Sequence, residues 1–194
     1  MAAVCAATAS VALCVAGYAM AISTEDLIVT PAHDELRLSA PRFHFLTGAS
    51  LAHLHDGISV PYDFQVTLFS GTRDAPVWRG FERFVVSYDL WEERFAVARV
   101  TNGRGSSSNL LAADAERWCF GQLAVPTSGL ARDGRLWLRL DIRSEDQKDS
   151  APAVGDENGI SIASLIEVFS RPALRAQQHW TLENGPFRLA EFQQ

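Results

Sequence analysis

Asp133–Asp146 reads DGRLWLRLDIRSED, and its alternation decides the fold. Leu136, Leu138, Leu140 and Ile142 share one parity; Arg135, Trp137, Arg139, Asp141 and Arg143 share the other. A period of two puts the aliphatics on one face of a β-strand and the guanidiniums on the opposite face. The aliphatic face belongs in a core. The arginine face is expected in solvent, each guanidinium pairing with carboxylates on neighbouring strands.

Further strands follow by the same alternation. Tyr62, Phe64, Val66 and Leu68 share a parity, as do Phe84, Val86, Tyr88 and Leu90, and then Phe95 and Val97. Asp89–Glu93 (DLWEE) is short enough for a hairpin turn, so strands 81–91 and 94–101 are expected to be antiparallel neighbours. ELRLSAPRFHFL at 35–46 alternates through Leu36, Leu38 and Ala40, changes parity at Pro41 and resumes through Phe43 and Phe45. Proline suits edges and bulges, which predicts a bulged edge strand. The tail HWTLENGPFRLAEF reads as two short strands across an Asn184–Gly185 turn.

Helical spacing marks three segments. ASLAHLHDG ends in a glycine suited to a C-terminal cap. SSSNLLAADAERWCFGQL is expected to be capped by Ser108 or Asn109, with Leu111, Ala115 and Trp118 recurring at helical spacing. SIASLIEVFSRP stripes Ile162, Leu165, Ile166 and Phe169, and the polar stretch 144–159 before it reads as a long mobile loop. Strands in succession without crossovers, with helices between groups, predict an α+β domain. The expected architecture is a curved antiparallel sheet of about five or six strands with two or three helices packed on one face.

Residues 1–21 carry no charged side chain, are rich in Ala and Val, and end in Ala19-Met20-Ala21. That pattern predicts a secretory signal peptide with Ile22 as the first mature residue, and a single extracytoplasmic domain over 22–194 in the periplasm or outside the cell. The alternative, an uncleaved anchor, is disfavoured by a length that barely spans a bilayer. Cys5 and Cys14 fall inside the signal, and Leu13 is the wrong neighbour for lipidation of Cys14. Cys119 then stands alone, so the core must hold the fold without a disulfide. A net charge of −6 with 47 % hydrophobic residues describes a globular chain without the basic footprint of nucleic-acid binding.

The order of elements resembles the domain of unknown function 4390 family of exported bacterial proteins. The resemblance runs through a short helix into Gly57-Ile58-Ser59-Val60, the strand PYDFQVTL, an Arg-bearing strand ending in Ser87-Tyr88-Asp89-Leu90, a hairpin to FAVARV, a helix and RLWLRLDI. It spans most of 34–192, and the HW…GPFRL tail departs from it. It implies an extracytoplasmic domain and assigns no reaction.

Catalytic signatures are missing. His53, His55 and Asp56, with His33, Asp34 and His44, offer zinc ligands by count, but no H-x₃-H or C-x₂-C spacing occurs. They read as surface histidines, and no metal or other cofactor is expected. Cys119, between Trp118 and Phe120, reads as a buried apolar thiol. There is no G-x-S-x-G elbow, and GRGSSS lacks the lysine of a P-loop. Glu92–Glu93 falls in the hairpin turn, and no acid is closely flanked by hydrophobes.

The expectation is therefore a non-catalytic module that binds another envelope protein. Its contacts would be Trp91, Trp137, Arg135, Arg139 and Arg143, because Trp and Arg dominate interface energetics. The alternative is a carrier of a lipid-like apolar ligand in a cavity between sheet and helices, lined by Phe43, Phe45, Phe64, Phe84, Tyr88 and Phe95.

Overall fold

The computed structural model describes residues 27–101, 105–144 and 178–192. The predicted helix at 161–172, all but the first residue of the predicted loop at 144–159 and the predicted signal peptide lie outside them. The fold is α+β, built from two antiparallel sheets and, among the described residues, two α-helices.

The larger sheet has six strands in the order β6-β5-β4-β3-β8-β9 and is not closed. They are β3 (Val60–Ser70), β4 (Pro76–Asp89), β5 (Arg94–Arg99), β6 (Gly105–Leu110), β8 (Leu136–Ser144) and β9 (His179–Phe187). The smaller sheet has the order β1-β2-β7, with β1 at Ile28–Ala32, β2 at Glu35–Ser39 and β7 at Ala124–Pro126. Helix α1 covers Gly48–His55 and α2 covers Ala112–Gly121, and a 3-10 turn at Leu189–Phe192 follows β9.

The opening alternation is realised without exception on its apolar side. Leu136, Leu138, Leu140 and Ile142 are buried, opposite Leu68, Val66 and Phe64 of β3 and Leu182 of β9. They join one core with Leu36, Leu38 and Val125 of the small sheet and Ala115, Cys119 and Phe120 of α2. Each fully buried side chain of this size contributes about 1.5–3 kcal/mol.

Four expectations need correction. β2 stops at Ser39 and is the middle strand of the small sheet; Phe43 and Phe45 follow it in a turn and loop. Pro41 ends the ladder there because it has no N–H to donate. Residues 106–110 are strand, since Ser and Asn are weak helix formers and β5 offers them a free edge. Helix α2 starts at Ala112 and buries Ala115, Glu116, Cys119 and Phe120, leaving Leu111 exposed as its N-cap. The tail is one strand: Leu136 pairs with Phe187 and Leu138 with Asn184, so two residues of β9 face Trp137 alone. Gly185–Pro186 makes a bulge next to Asn184, where a turn was expected. Gly185, at φ +130, sits so close to Leu136 O that a Cβ would lie 2.8 Å from it. Strands β1 and β7 were too short to show a period.

Candidate functional site

The outward parity of the large sheet runs across its strands as His179, Thr181 and Glu183 of β9; Arg143, Asp141, Arg139 and Trp137 of β8; Asp63, Gln65, Thr67 and Phe69 of β3; then Arg83, Phe81 and Arg79 of β4. Charges of opposite sign meet by register. Asp63 lies between Arg83 and Arg143, and Arg83 grips it bidentately, with Nε–Oδ1 and Nη2–Oδ2 both at 2.6 Å. Arg139 Nε donates to Glu183 Oε1 at 2.7 Å, and Arg73 reaches Glu183 Oε2 at 3.3 Å. Asp141 accepts from Thr181 Oγ1 at 2.7 Å and lies 3.3 Å from His179 Nε2.

Arg139, Arg143 and Trp137 thus face away from the core as expected, but the centre of their face is not open to solvent. Asp63 is 2 % exposed and Glu183 8 %, and Thr67, Phe69 and Phe81 are buried with them. Arg83 lies against Asp63, and Arg139 lies over the Phe69 ring at 5.5 Å. Burial holds Arg143 below the usual guanidinium range, against the pull of Asp141 and Asp63. Arg135 precedes the strand and is exposed.

The outward face changes character beyond β4. Val85 and Ser87 of β4, Ala96 and Ala98 of β5, and Ser106 and Ser108 of β6 line a shallow depression of about 570 Å³ with no charged side chain on its walls.

Trp91 sits at the tip of the β4–β5 hairpin and is 96 % exposed, with Leu90 beside it also exposed. The turn is pinned from within: Asp89 Oδ1 accepts from the amides of Trp91 at 2.8 Å and Glu92 at 3.0 Å. Those two bonds hold the Asp89 carboxyl below the usual carboxylate range. Tyr88 packs against His55 and Phe95, at ring separations of 4.6 and 4.8 Å, so the stem is fixed on both sides. An indole that size is ordinarily buried; here a rigid turn holds it in water.

Of the six aromatics expected to line a cavity, Phe45, Phe64 and Phe84 are buried ring against ring, Phe45–Phe64 at 5.4 Å and Phe64–Phe84 at 5.1 Å. Phe95 is buried and Tyr88 half-buried. Phe43 borders a cleft of about 250 Å³ between the end of β2 and α2, with Leu38, Ala40, Pro41, Ala113 and Phe120.

At that cleft stands an arrangement the sequence did not announce. Glu116, 4 % exposed, accepts from the amides of Phe45 at 2.7 Å and Leu46 at 2.9 Å through Oε1, while its Oε2 lies 2.6 Å from His44 Nδ1. The carboxylate closes the loop after β2 onto α2 and orients the His44 ring. Its signal was there to find: Ala112, Glu116 and Phe120 recur at four-residue spacing, so an acid stands in the buried stripe.

His33 lies at the β1–β2 turn and His53 and His55 on α1; no group of three or more metal-ligating side chains converges among the described residues. Cys119 is buried, which pushes its thiol far above the range where a thiolate forms, with Glu116 adding to the shift. Among the described residues no helix is long and apolar enough to cross a membrane. Comparison of the chain with family models, curated proteins and solved structures returns no match.

Proposed function

We propose that the protein is a non-catalytic, extracytoplasmic interaction module, exported through residues 1–21, that binds another envelope protein through the Trp91 hairpin. The observation that carries this reading is the Trp91 side chain, 96 % exposed on a turn fixed by Asp89. Preorganisation matters because ordering a loop on binding costs free energy that a pinned turn has already met. Burying the indole removes about 150–250 Å² from water, enough for a hot spot. Glu92 and Glu93 follow it directly, so the complementary surface is an apolar pocket rimmed by Arg or Lys. The absence of catalytic signatures in the sequence and the resemblance to an exported family agree with this reading.

The test is site-specific photo-crosslinking in cells producing the full chain, with the photoreactive residue at position 91 or, as a control, at Thr72. One adduct specific to position 91, weakened when Leu90 is changed to Ser, is the expected result. Adducts of equal yield from both positions, or none from position 91, would defeat the reading.

A second reading, carriage of an apolar ligand, is favoured by the apolar cleft between β2 and α2. It lies beside the core and not within it.

A further inference from the structure

Four polar side chains border the cleft between β2 and α2: Ser39, His44, Glu116 and Arg117. Glu116 has both oxygens engaged, Oε1 with two backbone amides and Oε2 with His44. Its capacity to take a proton from a ligand is therefore used up inside the protein. What the cleft still offers is the hydroxyl of Ser39, the guanidinium of Arg117, and the outer edge of the His44 ring, whose Nδ1 is committed to Glu116. Arg117 also pairs with Asp114 across one helical turn, in an exposed contact at 2.5 Å that a ligand can exchange for. With the Glu116 carboxylate engaged, the charge left at the mouth is the Arg117 guanidinium, with the Ser39 hydroxyl beside it, and the walls behind, Leu38, Ala40, Phe43 and Phe120, are apolar.

We infer that this cleft binds a small apolar carboxylic acid, its tail against Phe43 and Phe120 and its carboxylate at His44 and Arg117. This assignment rests on the carrier reading and adds to it the chemistry of the head group. A volume of about 250 Å³ is below that of drug-sized pockets, which limits the tail to a medium chain or a single ring. Glu116 acts here as a positioning residue: it fixes the loop that carries His44 and turns the ring toward the cleft, the role a carboxylate plays behind many functional histidines.

Calorimetric titration of the full chain with octanoate, octanol and octylamine tests the assignment. The three probes share a tail and differ in the head. Octanoate is expected to bind saturably with a Kd on the order of 10–100 µM, in keeping with so small a ligand, and the other two at least about 10-fold more weakly. His44→Gln, which can still donate to Glu116, should weaken octanoate about 10-fold and leave octanol unchanged. Ala113→Phe, at an exposed position on the cleft wall, should abolish binding of every probe without unfolding the protein. Octanol binding as tightly as octanoate, or His44→Gln without effect, overturns the carboxylate assignment and leaves apolar carriage standing. Failure of the wild-type protein to bind any probe overturns both, and binding that survives Ala113→Phe places the ligand elsewhere and overturns the site.

Discussion

The outward face of the large sheet has two halves made from one backbone pattern. Across β9, β8, β3 and the middle of β4 it is a mesh of guanidiniums and carboxylates around buried Asp63, Thr67 and Glu183; at Val85 and Ser87 of β4, Ala96 and Ala98 of β5 and Ser106 and Ser108 of β6 it is a shallow field without charge. Both halves alternate with the same period and back onto the same core. The difference is chemical, and it teaches where mutation should be felt. In the charged half the buried carboxylates of Asp63 and Glu183 depend on the arginines that meet them, so removing an arginine strands a carboxylate in a place water reaches poorly. In the neutral half nothing depends on anything, and the face is available.

The yardstick is the inner face. Leu138→Ala should cost about 2–5 kcal/mol in urea unfolding, the range of core leucine truncations. Arg83→Met comes next. It leaves the Asp63 carboxylate without its bidentate partner at 2 % exposure, and a cost of about 3 kcal/mol is expected. A cost below that of Arg139→Ala would mean the charged half is held by packing alone and would erase the contrast. Arg139→Ala should cost about 1 kcal/mol, since its side chain is half exposed and Arg73 still reaches Glu183. A double-mutant cycle with Glu183→Gln isolates the pairing and should return a coupling of the same size. Ser106→Ala, in the neutral half, should move stability by less than about 0.5 kcal/mol. A larger shift there would show that the depression is structural rather than open.

Periodicity carried a great deal of this in the sequence. The core parity of β8, the β4–β5 hairpin and the α+β class were legible because those strands are long, half-buried and strictly alternating. The failures share a physical cause. At Ser108–Asn109 and at Asn184-Gly185-Pro186, residues that usually announce helix starts or turns are used at or beside bulges, and only the neighbouring strand determines which. The local spacing of α2 marks Glu116 as a buried acid, but its partners lie about seventy residues away, at His44, Phe45 and Leu46, and no local window can show them. The closed centre of the arginine face was missed for a related reason: alternation says which way a side chain leaves the strand, not whether it then lies flat.

The bulges have a consequence for how this chain can change length. Each inserts one extra residue at a known place: Val77 in β4 against β3, the Ser108–Asn109 pair against Ala96, and Gly185–Pro186 against Trp137. A strand is read like a text in frames of two, and a lost or gained residue turns every later side chain inside out. At a bulge the frame already carries a spare letter. Deleting Val77 would restore even pairing around it and leave inner and outer parities intact on either side. Deleting Arg139 from the middle of β8 would leave Leu136 and Leu138 in place but send Leu140 and Ile142 outward and turn Arg143 into the core.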